Sequence, residues 1–163
     1  GAPALWDALL EAGSPQELEP CGLGARDMLR LEAGMPLYGH ELEETITPLQ
    51  AGLNWAVKFD KPNFTGKAAL EAQQAGGAYP RIAGFAMEGR APPPRSGYRA
   101  FLEGRDAGEV RSGSPAPSLG NQSIGTALVE APAAEPGTRI AIEIRDKQWP
   151  ATVVKLPFYR RKK

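Results

Sequence analysis

The chain is 163 residues long, carries 19 basic and 19 acidic side chains, and contains 19 glycines and 16 prolines. That length suits one domain or two small ones, the balanced charge gives no net field that would draw the chain to nucleic acid or a membrane surface, and the glycine and proline content marks a turn-rich, β-leaning chain that stays below the disordered range. One cysteine, Cys21, and one histidine, His40, exclude an internal disulfide framework and a multi-cysteine zinc site.

No apolar run approaches the ~20 residues of a membrane span. The first stretch is acidic and interrupted by Gly13 and Pro15, unlike a signal peptide, so the expected setting is soluble and reducing. Serine–histidine or cysteine–histidine chemistry would have to run through His40, which no supporting motif surrounds.

Leu5, Trp6, Leu9 and Leu10 form one helical stripe that Gly13 ends,. Nothing precedes this helix to cover it, so the chain is expected to be a piece of a longer protein. A second helix is predicted over Leu23–Ala33, closed by Gly34 and Pro36,. Leu23, Met28 and Leu31 are its expected core residues. Arg26 and Arg30 lie one turn apart on the other face, with Asp27 and Glu32 available to pair,. Two such arginines can take a carboxylate through bidentate hydrogen bonds, although a solvated or internally paired face is the commoner outcome.

Residues 35–39 read as a tight turn, and Tyr38 as filling it. Glu41, Glu43 and Glu44 read as a solvated acidic loop. Their ligand type would suit a hard cation, but no glycine-hinged Asp/Asn loop accompanies them, so no metal site is predicted. Trp55–Phe59 alternates large apolar with small or charged residues and predicts a strand,. A turn at Asp60–Asn63 leads to a helix over Phe64–Gln74 with Lys67 and Glu71 as an i,i+4 pair,.

Gly76-Gly77 marks the expected boundary, between 1–76 and 77–163. Beyond it helical periodicity stops. Arg81–Glu88, Tyr98–Glu103, Glu109–Gly113, Ile124–Val129, Ile140–Ile144 and Ala151–Leu156 read as six short strands separated by turn clusters, including Gly104–Gly108 and Ser114–Asn121,. Six strands at this spacing predict a small barrel or a sandwich. Asp146–Trp149 reads as the loop of the last hairpin, and Arg160–Lys163 as a solvated basic end,. There is no G-x-G-x-x-G after a strand and no Walker A sequence, so nucleotide phosphate binding has no support.

Several blocks are more specific than this pattern. Leu23-Gly24-Ala25-Arg26-Asp27-Met28-Leu29-Arg30-Leu31-Glu32-Ala33-Gly34-Met35-Pro36-Leu37-Tyr38-Gly39 resembles the central signature of the glycine cleavage T-protein family of aminomethyltransferases. Thr47–Val57, Lys58–Lys61 and Phe64–Leu70 continue the resemblance. So do Gly108–Leu119, Ile124-Gly125 and Lys155–Tyr159. Arg111 stands where the family usually has threonine, and the loop at 90–97 is unusually proline-rich.

The resemblance implies an α+β chain: the remainder of an α/β folate-binding domain (1–76), then a small antiparallel β-barrel (77–163). It implies transfer of a one-carbon unit from the aminomethyl-lipoyl arm of the H-protein to tetrahydrofolate, giving methylene-tetrahydrofolate and ammonia. Tetrahydrofolate is then a substrate, no metal is needed, and the work is cytoplasmic, or in the mitochondrial matrix if the source is eukaryotic. The catalytic aspartate and most of the folate pocket are expected in an N-terminal half outside this chain, which would leave this piece inactive and weak in folate binding by itself. Arg26 matches the family's folate-contacting arginine, and a further folate contact falls on Tyr159 or Arg160. Arg30 is expected to be structural. The folate-binding end of a sarcosine or dimethylglycine dehydrogenase-like protein, or a non-enzymatic folate-binding regulator of the same superfamily, would share this fold. Both fit less well, because the wording of 33–39 favours the T-protein and the regulator's cysteine motif is not visible.

Overall fold

The computed structural model describes residues 1–161; the last two lysines of the basic end lie outside the described residues. Six strands close into one antiparallel barrel: β1 (Arg81–Met87), β2 (Arg99–Leu102), β3 (Arg105–Ala116), β4 (Gln122–Val129), β5 (Arg139–Ile144) and β6 (Lys147–Val154). Their order around the barrel is β1-β4-β3-β2-β5-β6, with β6 returning to β1. Closure leaves no free sheet edge. The barrel alternative of the sequence reading therefore holds and the sandwich does not.

Alternation builds the interior. Ile140, Ile142 and Ile144 point inward from β5, and Phe85, Met87, Val110, Val129 and Val153 meet them,. Two hairpins are tighter than the glycine clusters predicted. Leu102 pairs with Arg105 and Ile144 with Lys147, so each loop has two residues. Glu103-Gly104 and Arg145-Asp146 all take positive φ, the backbone of a type I′ turn. The predicted turn at Gly104–Gly108 is therefore mostly strand, and the predicted loop at Asp146–Trp149 begins β6 at Lys147.

The preceding residues are helical and loop-rich: α1 (Ala2–Gly13), α2 (Leu23–Glu32) and α3 (Lys67–Ala75). The predicted strand at Trp55–Phe59 does not form. Asn54–Ala56 is a 3-10 turn with Trp55 exposed, because no strand among the described residues lies beside it to complete a ladder. The loop before it is pinned to the barrel by the Ile82 N–H donating to the Gln50 carbonyl at 2.7 Å.

One helix face packs on the barrel wall. Leu31 of α2 meets Ala116 and Ile124, with Ala86, Leu119 and Phe158 around them. Leu23, expected in the core, is instead 83% exposed. It is the first helical residue and extends past the barrel, while Arg30, Leu31 and Glu32 take the buried positions. Helix α1 has no buried residue, and its stripe of Leu5, Trp6 and Leu9 is exposed.

These placements predict that Ile142→Ala costs about 2–4 kcal/mol in denaturant unfolding, whereas Leu23→Ala stays within about 0.5 kcal/mol of the parent.

Candidate functional site

Helix α2 sends its two arginines to different fates. Arg26 is exposed and has no ion-pair partner among the described residues. Arg30, one turn on, is only 8% exposed. It holds Asp27 at 2.7 Å, reaches Glu41 Oε2 at 3.0 Å, and donates to Ser112 Oγ at 2.8 Å. The structural role expected for Arg30 is found: Asp27 pairs with it as expected, and Glu41 takes the place of Glu32.

Glu41 overturns the solvated-loop reading. It is 2% exposed. Its Oε2 accepts from Arg30 and from the Leu37 N–H at 2.9 Å, and its Oε1 accepts from the Thr126 hydroxyl of β4. Burial pushes the Glu41 carboxyl up, but the nearby Ser112 hydroxyl, the hydrogen bonds from Thr126 and the Leu37 N–H, and the charge of Arg30 more than offset this and hold it below the usual carboxylate range,. Glu43 turns the other way, to Arg111 at 2.8 Å, and Glu44 is exposed. Neither joins Glu41 as a ligand set, and no group of three metal-binding side chains is gathered among the described residues.

A bulge puts the hydroxyls in place. Val110 pairs with Ala127 inside the barrel, but Ser112 pairs with Thr126, so the register shifts across Arg111. The extra residue turns the next part of β3 over, and Ser112 faces outward beside Thr126, toward α2. Arg111 and His40 then clasp each other. The Arg111 Nε donates to the His40 carbonyl at 2.7 Å, and His40 Nδ1 lies 2.7 Å from the Arg111 carbonyl. A carbonyl only accepts, so Nδ1 carries the proton. Ser112 Oγ also lies 3.4 Å from His40 Nδ1, but the shorter bond to the Arg111 carbonyl takes the proton, so this nitrogen is not a base for the serine hydroxyl.

Glu32, 3% exposed, fastens the far end of α2. Its Oε1 accepts from the Ser118 N–H at 3.0 Å, and its carbonyl accepts from the Tyr159 N–H at 2.9 Å. The final segment therefore docks at the C-terminal end of the helix that carries Arg26, about 9 Å along its axis. Gly34, at φ 67°, permits this approach, since a Cβ there would sit 3.3 Å from Leu156 and Pro157 atoms. Tyr159 is 45% exposed and Arg160 is exposed. Tyr38, expected to fill a turn, is 73% exposed instead, because the Gly39 turn directs it outward.

Arg26 stands at a cavity of about 560 Å³ whose walls include Leu29, Ala33, Met35 and Leu37, with Cys21 at its edge. A second cavity of about 310 Å³ shares Met35 and Pro36 with it and is walled by Leu31, Leu53, Trp55, Ile82 and Leu156, with Glu41 and Thr126 as its polar side. An unpaired guanidinium beside apolar walls suits a ligand that carries a carboxylate on an apolar or aromatic body.

A closed six-strand barrel with this helix fastened to its wall is a barrel domain of the glycine cleavage T-protein type. The family model for the glycine cleavage T-protein C-terminal barrel domain matches residues 81–160, and that for the GCVT N-terminal domain matches residues 1–61. The chain belongs to the glycine cleavage T-protein family. It is 48% identical over 160 residues to an aminomethyltransferase of Geobacillus thermodenitrificans, covering 98% of this chain and 43% of that protein. It is 51% identical over 167 residues to one from Streptomyces avermitilis, covering 99% and 44%. The crystal structure of glycine cleavage system aminomethyltransferase T from Bartonella henselae superposes with a TM-score of 0.86 at 33% identity, over 97% of this chain and 44% of that one. The chain spans less than half the length of these relatives.

Breaking the buried pair is the direct test of the Arg30–Glu41 geometry. Glu41→Gln leaves Arg30 buried with only the half-exposed Asp27 as counter-ion, and is expected to lower stability by about 3 kcal/mol at neutral pH. Because the folded carboxyl sits below its unfolded value, this contribution is present above the ordinary carboxylate range, ~4.3, and is lost as pH falls through the lower folded value. Thermal unfolding should show the gap between parent and variant closing below about pH 4.

Proposed function

We propose that this chain is the part of an aminomethyltransferase that holds the acidic tail of tetrahydrofolate, with Arg26 as the group that takes a tail carboxylate. The carrying observation is that Arg26 is an exposed, unpaired cation at an apolar-walled cavity, on a helix whose other arginine is consumed internally. Folate presents an aromatic body followed by glutamyl carboxylates, which is the ligand chemistry such a cavity suits. Tyr159 and Arg160 follow the segment that docks on the same helix, and we assign them a secondary folate contact.

In the reaction of the whole protein, the aminomethyl carbon arrives on the lipoyl sulfur of the H-protein. Its bonds to sulfur and to nitrogen break, N5 and N10 of tetrahydrofolate take the carbon, and the two folate protons leave with the thiol and ammonia. The catalytic aspartate and the pterin pocket belong to the upstream half that the relatives carry. The exposed stripe of α1 is consistent with a surface which that half covers,. Residues 1–76 are then the end of the folate-binding domain and 77–163 the barrel, and the present chain is inactive by itself. A single unpaired cysteine, Cys21, suits the cytoplasm, where we place the protein; no helix among the described residues is long and apolar enough to cross a membrane.

Calorimetric titration of tetrahydrofolate tests this reading, with the chain alone and mixed with the upstream half of an aminomethyltransferase relative. The chain alone should give little heat and the mixture should bind. Arg26→Ala should weaken the mixture about tenfold or more. Unchanged affinity in Arg26→Ala would contradict the assignment.

A further inference from the structure

Helix α2 has no side-chain cap at its N-terminal Gly22, and α1 buries nothing against it. Arg26, in its second turn, therefore depends on what holds the helix further along. Leu31 supplies an apolar contact with Ile124 and Ala116, which by itself sets the distance of the helix from the barrel more than its rotation. Directional bonds set the rotation: Arg30 donates to Ser112 of the barrel and Glu32 accepts from the Ser118 N–H, but Glu41 is the group that ties the helix, the loop after it and the barrel together. Glu41 Oε1 takes the Thr126 hydroxyl on the barrel, while Oε2 takes Arg30 on the helix and the Leu37 N–H on the following loop.

Those last two partners are walls of the same cavity. Arg30 and Leu37 both line the space at which Arg26 stands. Glu41 itself does not line it and reaches no ligand there. We propose that Glu41 is a positioning residue for the carboxylate site: through Arg30 and the Leu37 N–H it holds the helix wall and the loop wall of the Arg26 cavity in register against the barrel. The inference rests on the reading of Arg26 as a carboxylate-binding group. It adds a residue that acts on the ligand only through Arg26 and its surroundings. Glu41 also neutralises Arg30, leaving Arg26 as the cation facing the cavity.

The probe is p-aminobenzoyl-glutamate, the aromatic and acidic end of folate without the pterin, titrated into the 163-residue chain mixed with the upstream half of an aminomethyltransferase relative and followed by NMR at the Arg26 side chain and the Leu37 amide. A double-mutant cycle then separates positioning from stability. Arg26→Ala should weaken binding about tenfold, and Glu41→Gln about fivefold in protein that remains folded. In the Arg26→Ala background, Glu41→Gln should change binding less than about twofold, because the group it positions is gone. Thr126→Val, which removes only the barrel-side bond, keeps the test open if Glu41→Gln folds poorly, and should show about a threefold loss that also vanishes without Arg26.

Folded Glu41→Gln and Thr126→Val proteins that bind like the parent would overturn the proposal, as would losses that persist undiminished in the Arg26→Ala background. An Arg26→Ala protein that binds like the parent, or a parent with no response at Arg26, would instead overturn the reading of Arg26 and the positioning role with it. The single substitutions therefore tell the two failures apart.

Discussion

The architecture around the site depends on one buried ion pair, Arg30 with Glu41. Removing two charges from water is expensive, and their mutual attraction repays it only when every remaining donor and lone pair is used. Most of that condition is met here: Asp27 and Ser112 take further N–H groups of the guanidinium, and Thr126 and the Leu37 N–H also bond the carboxylate. A leucine pair of similar volume would fill the same space. It would not specify which way the helix is turned, because apolar contacts carry little direction. The pair is best understood as a device for orientation, with stability that depends on keeping both partners.

The barrel makes the pair possible. Its interior is an ordinary alternating core, but its outer wall at β3 and β4 must offer two hydroxyls side by side. A regular strand would have kept Val110 and Ser112 on the same face. The bulge at Arg111 breaks that regularity and turns Ser112 out beside Thr126,. Arg111 sits at the bulge, and its guanidinium ties the bulge to His40 and Glu43. This clasp brings the acidic loop against the barrel at the point where Glu41 must enter it.

Much of this was legible in the sequence where periodicity and turn chemistry act locally. Ile140, Ile142 and Ile144 alternate and form a strand; Leu31 and Gly34 sit where a buried helix and its end require them. Arg26 was singled out only through the resemblance of its whole segment to a family signature, and the structure adds that it is exposed and unpaired among the described residues. The failures share a physical cause. Glu41 sits among Glu43 and Glu44, so local composition reads as solvated, and its partners Thr126 and Ser112 are distant in sequence. The strand pattern at Trp55–Phe59 had no neighbour to pair with, which a single segment cannot reveal. Arg145-Asp146 carries no glycine to fix the turn, so the last hairpin was found but its loop was read one residue late and two residues too long, at Asp146–Trp149.

Helix α2, carrying Arg26, is fastened to the barrel as one mechanical unit. Native-state hydrogen exchange measures this directly. A ten-residue helix in isolation is marginal,, so protection of its amides reports its attachment. The amides of Arg30–Glu32 should open with the same free energy as those of β3 and β4, and so respond to denaturant with the slope of global unfolding. Exchange of those amides through a separate, smaller opening while β3 and β4 remain protected would contradict it.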